Sequence, residues 1–117
     1  MAIPSGSGTE VLKVNRYQTI STETLVFQGV ADHIYTILSI IIVNTDGANS
    51  REFYLSLYDG TGTSNTHRII YAQPVPASGV FVWNDKFVIS GSYNMRLTSG
   101  NGDADIMVSY IDQDFSS

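Results

Sequence analysis

At 117 residues without a cysteine, the chain amounts to one domain that holds together by burial alone, and the missing thiols exclude thiol catalysis, disulfides and Cys-based zinc sites. Eleven Asp and Glu outweigh six Lys and Arg, and the cations are scattered at Lys13, Arg16, Arg51, Arg68, Lys86 and Arg96. Phosphate binding needs clustered positive charge, so no nucleic acid is expected as a partner. No apolar run reaches the ~20 residues of a membrane-crossing helix, and the first residues lack the basic and apolar regions of a signal peptide; a soluble protein made in the cytosol, with no membrane partner, is expected.

Residues 1–8 contain Pro4 and alternating Ser and Gly without apolar periodicity, and they are expected to be a flexible N-terminal arm in which Ile3 and Pro4 form a small anchor for a partner. Residues 9–117 are expected to be the single folded domain. Residues 9–20 read as weakly extended and residues 24–27 as a short strand, and the two are expected to pair with each other. Residues 34–43 are apolar at almost every position and rich in Ile, with Thr36 and Val43; β-branched side chains lose χ1 freedom in a helix but pack well on a pleated surface. This stretch is predicted to be the buried central strand. Simple alternation places Tyr35, Ile37, Ile41 and Val43 on one face and Ile34, Leu38, Ile40 and Ile42 on the other, with Ile41 expected in the core and neither face looking solvated.

Residues 44–50 carry turn chemistry. Residues 53–58 then alternate, with Phe53, Leu55 and Leu57 inward and Tyr54, Ser56 and Tyr58 forming a tyrosine-bearing face. A strand is predicted over residues 67–71, whereas residues 73–79 are too proline-rich to pair centrally. Further strands are predicted around residues 80–83, 86–89, 93–98 and 105–111, the last followed by a polar tail. Eight or nine short strands without a helical segment predict an all-β fold: one antiparallel β-sandwich or jelly-roll-like domain.

Chemistry is sparse along this chain. The histidines are His33, which Asp32 is placed to orient, and His67, expected at the surface; no Gly-x-Ser-x-Gly elbow accompanies them, and no catalytic role, metal or cofactor is expected. The oxygen-rich residues 59–65 and 101–105 lack the carboxylates of a calcium loop and read as turns. Asp112 and Asp114 read as solvated charges in the tail. The candidate interaction residues are the aromatics Tyr54, Tyr58, Trp83 and Tyr93, which suit cross-strand packing, a protein interface or a sugar.

From His33 onward the chain resembles the small β-sandwich structural proteins of tailed bacteriophages, found as capsid decoration (cement) proteins and as head or tail fibre modules. The resemblance rests on Ile34-Tyr-Thr-Ile-Leu-Ser-Ile with Val43-Asn44, Phe53-Tyr-Leu-Ser-Leu-Tyr58-Asp-Gly, Gln73-Pro-Val-Pro-Ala-Ser-Gly79, Phe87-Val-Ile-Ser-Gly91 and Ala104-Asp-Ile-Met-Val-Ser-Tyr-Ile-Asp112; Gly91-Ser92 stands where that family usually has Gly-Asp. It implies a virion component made in the host cytoplasm, a homo-oligomer and often a trimer, that binds the major capsid protein or a neighbouring virion protein. A carbohydrate-binding module on a fibre or an enzyme, using Tyr54, Tyr58 or Trp83, is the second reading.

Overall fold

The computed structural model describes residues 9–18, 23–59, 67–99 and 104–116, and within them the fold is all-β. Nine strands follow one another: β1 (Thr9–Gln18), β2 (Thr24–Gln28), β3 (His33–Asn44), β4 (Arg51–Asp59), β5 (His67–Val75), β6 (Val80–Trp83), β7 (Phe87–Ser90), β8 (Tyr93–Ser99) and β9 (Ala104–Asp114). They form two antiparallel sheets. One has the order β1-β9-β3, with β6 and β7 sharing the far side of β3; the other has the order β2-β8-β4-β5. The chain changes sheet at every connection except β4–β5 and β6–β7, which gives the jelly-roll-like sandwich that the strand spacing predicts.

The expected pairing of the first two strands is corrected. β1 pairs with β9, from Thr9–Asp114 to Gln18–Asp105, and β2 pairs with β8 in the opposite sheet. Residues 24–28 carry Val26 and Phe27 buried side by side, with a register shift between Leu25 and Phe27, so β2 sends bulk into the interior rather than lying flat beside β1.

β3 is the central strand, as its β-branched run predicts, but its two faces are not those of simple alternation. Ile37 pairs with Tyr110 and Ser39 with Ser109, so Leu38 is an extra residue, a bulge that reverses the phase of everything after it. The buried side chains are therefore Tyr35 and Ile37 before the bulge and Ile40, Ile42 and Asn44 after it. Ile41 and Val43, expected inside, face outward and are half-buried.

The interior is filled from both sheets by Val26, Phe27, Ile37, Ile40, Ile42, Phe53, Leu55, Met95, Leu97 and Val108, with Phe27, Tyr35 and Tyr110 packed edge to face at centroid separations of 4.8–5.8 Å. Asn44 closes one end: its amide holds the carbonyls of Asn49, Val75 and Pro76 at 3.0–3.1 Å, and its oxygen accepts the Asp46 amide. At the other end the turn after β2 crosses the turn before β8. A Cβ on Gly91 would fall on the Val30 carbonyl, so a glycine is required there. Pro74 is accommodated because β5 lies at a sheet edge, where a missing N–H costs no ladder bond.

Candidate interaction face

The four aromatic candidates are not brought together. Tyr54 is half-buried on the outer face of the β2-β8-β4-β5 sheet, with its ring 5.4 Å from that of Tyr71 and edge-on to it. Tyr58, expected beside it at the surface, is only 6% exposed; its hydroxyl donates to Glu23 at 2.7 Å and the Arg96 guanidinium covers its ring. Trp83 and Tyr93 are partly buried against the core, Trp83 opposite Ile40 in the register, and the Trp83 indole N–H donates to the Asp85 carbonyl at 2.8 Å. The most exposed ring among the described residues is that of Tyr71, 67% accessible and covered on one side by Arg68. Sequence reading passed over it because Tyr71 closes a short strand whose alternation is broken by the bulge around Ala72 (φ 50°). Ile3 and Pro4 lie outside the described residues, as do residues 60–65 and 101–103 of the two oxygen-rich loops.

Asp112 corrects a second expectation. It lies within β9 rather than in a tail and is buried, with Lys13 Nζ at 2.9 Å on one oxygen and His33 Nδ1 at 2.6 Å on the other. Burial pushes its carboxyl up, but the hydrogen bonds and charges of Lys13 and His33 outweigh this and hold it below the usual carboxylate range; the Asp112 hydrogen bond in turn raises the Lys13 ammonium. His33 Nε2 is 3.3 Å from Asp114 Oδ1, so both ring nitrogens face carboxylates, and Asp32, expected to orient the ring, does not touch it. A histidine acting as general base turns one nitrogen to its carboxylate and the other to a nucleophile. His33 has no nitrogen left for one, and the cluster ties β1, β3 and β9 together.

What remains is the outer face of the β1-β9-β3 sheet. Cross-strand partners share a face, so the register aligns Leu12 with Ile111, Ile111 with Thr36 and Thr36 with Val88, and then Arg16 with Met107, Met107 with Ile41, and Ile41 with Val82. Val43 with Val80, and Val14 with Ser109, complete the surface. The result is an apolar band running across all the strands of the sheet, with Leu12 70%, Val88 64% and Val80 56% exposed and Val14, Val82 and Met107 also open. A shallow open groove of about 640 Å³ lies at its Gln18 end, floored by Ile41, Val43 and Met107 and flanked by Arg16 and Asp105. Phase reversal at Leu38 produces this face: it turns Ile41 and Val43 out to join the valines of β6. The sequence signalled that β3 lacked a solvated face, but not which residues would form the outer one.

Comparison with known proteins bears on the fold. No family model matches the chain, and no curated protein matches it in sequence. A chain in the structure of infectious bursal disease virus, Gt strain, superposes with a TM-score of 0.51 at 10% identity, over 91% of this chain. The fold is one found in a virus. This chain spans only 30% of that longer one. Weaker likenesses, at TM-scores of 0.49 and 0.44 and identities of 10% and 12%, extend to a Bacillus endospore appendage, a disulfide-linked pilus (99% of this chain, 97% of that one), and to a pentameric capsid protein from metagenomic phage sequences (86% and 60%).

Proposed function

We propose that the protein is a non-enzymatic structural component of a phage virion, a capsid decoration or cement protein that binds the major capsid protein shell through the outer face of the β1-β9-β3 sheet. The observation that carries this reading is the apolar band itself. A sandwich of this size fills its interior from the inner faces of its two sheets, so open Leu, Val and Met side chains across a second sheet face mark an interaction surface. The sandwich shared with a virus chain supports the virion setting. Self-association, often as a trimer in the family that the chain resembles, and an N-terminal arm with Ile3 and Pro4 as a second grip on a neighbouring virion protein belong to the same reading.

The test uses empty shells of the major capsid protein encoded in the same genome. Val82→Asp and Val88→Asp alter exposed side chains on edge strands; each variant is expected to melt within a few degrees of the parent while its occupancy on shells falls roughly tenfold or more, because a charge enters an apolar contact. Unchanged occupancy would remove the face from the proposal. A second reading, a carbohydrate-binding fibre module, is favoured by the exposed Tyr71 ring beside Tyr54 and Arg68. Failure of the parent to bind shells, together with glycan binding that Tyr71→Ala abolishes, would establish that reading instead.

A further inference from the structure

β1 is an edge strand without the usual protection. Its ten residues pair with β9 in an unbroken register, with no bulge to turn it away, and its sequence contains no proline. Among the described residues no strand lies on its other side. Alternate backbone N–H and C=O groups along about 33 Å of strand therefore point outward as a template for another strand. A lysine aimed across an edge commonly blocks such pairing, but Lys13 is drawn inward to Asp112. Val11 and Tyr17 on one face, and Leu12 and Val14 on the other, are all exposed.

We infer that this edge is completed by β1 of a second copy, running antiparallel about a two-fold axis at Lys13. The side-chain order of the strand selects both the occupant and the register. Along the outer face Glu10, Leu12, Val14 and Arg16 read acid, apolar, apolar, base, a pattern complementary to its own reverse. Centred on Lys13, Glu10 faces Arg16 of the second copy and Leu12 faces Val14 of the second copy, each twice by symmetry. On the inner face Val11 meets Asn15 of the second copy. The two Lys13 ammonium groups come opposite one another, each already neutralised by its own Asp112. Moving the axis to Val14 sets Glu10 against Gln18 and Leu12 against Arg16, and leaves both charges unmatched. The pairing makes one continuous sheet through both copies and brings their apolar outer faces side by side. It does not depend on the virion reading, and it joins copies in pairs whether or not a three-fold contact lies elsewhere.

Two charge reversals decide it. Glu10→Arg and Arg16→Glu change exposed side chains remote from the core, and a melting temperature equal to that of the wild type at a dilution where both are monomeric verifies that each variant is folded. The wild type is expected to be dimeric by light scattering at about 100 µM, and either reversal alone to raise the dimer Kd roughly tenfold or more, because each places two like-charged pairs across the new ladder. An equimolar mixture of the two variants restores every Glu–Arg pair and is expected to recover dimers of wild-type affinity. Amide exchange supplies the independent readout: β1 amides that point away from β9 are protected in the dimer and released on dilution, whereas a dimer formed through the sheet face leaves them open. A wild type that is monomeric or only trimeric at that concentration, a dimer indifferent to both reversals, a mixture that does not recover, or open outward amides in the dimer overturns the inference.

Discussion

Asp112 is a carboxylate placed among aromatic rings, and three strands meet on it. Such a group stabilises the fold only while it is charged. Its folded pKa lies below the ordinary value near 3.9, so its contribution is complete above that value and is lost as the pH falls through the lower folded one. Asp46 behaves in the same direction at the opposite end of the sandwich, where the Ala48 amide, with Asn49 and Arg51, brings it down to about 2. Asp112→Asn is therefore expected to cost about 1–3 kcal/mol at neutral pH, since it removes one charge and strands two partners, one of them half-exposed. Its melting temperature should also fall less steeply than that of the parent as the pH drops below about 4. Thermal melts across that range check this, and parallel curves for the two proteins would remove Asp112 from the acid sensitivity. The role of Asp112 was illegible in the sequence because its partners lie 79 and 99 residues away; locally it is one acid among the polar residues that follow Ile111. Tyr58 was misread for a related reason, since the Glu23 that receives its hydroxyl is 35 residues distant.

At the scale of the element, β3 shows how one extra residue divides a strand into two halves of opposite phase. Ile40→Asp puts a carboxylate into the sealed interior and is expected to cost about 4 kcal/mol or more, most of a small domain's margin. Ile41→Asp, one position along, meets the half-open outer face between Met107 and Val82 and should cost less than half as much. Urea unfolding of the two variants measures the difference, and equal losses would mean that both faces are sealed in solution. The strand itself was legible from its Ile content, as were its neighbours from their alternation and turns. Leu38 was not, because neither a glycine nor a proline marks it; the register with β9 makes it a bulge. The partners of β1 and β2 were hidden likewise, since pairing is decided by residues near the far end of the chain. The apolar outer face follows from both, which is why the aromatics drew attention first.

The whole molecule is a slab about 51 × 27 × 20 Å in which the first and last described strands lie side by side. That adjacency has a kinetic consequence. Closing β1 onto β9 joins residues such as Lys13 and Asp112, 99 positions apart, so the β1-β9 ladder can form only after a long loop has been closed, which is slow. The same register puts Thr9 opposite Asp114, about 5 Å away across the ladder. A circular permutant that joins residue 116 to residue 9 by a short glycine linker, and opens between Asn84 and Asp85 in the exposed β6–β7 connection, turns this longest-range pairing into a hairpin. Stopped-flow refolding of the permutant, compared with the chain that begins at residue 9, should be roughly tenfold faster, with an unfolding rate that changes much less. Equal refolding rates would mean that β1 docks after the rate-limiting step, leaving the edge strand as the last piece of the sandwich to arrive and the first to leave.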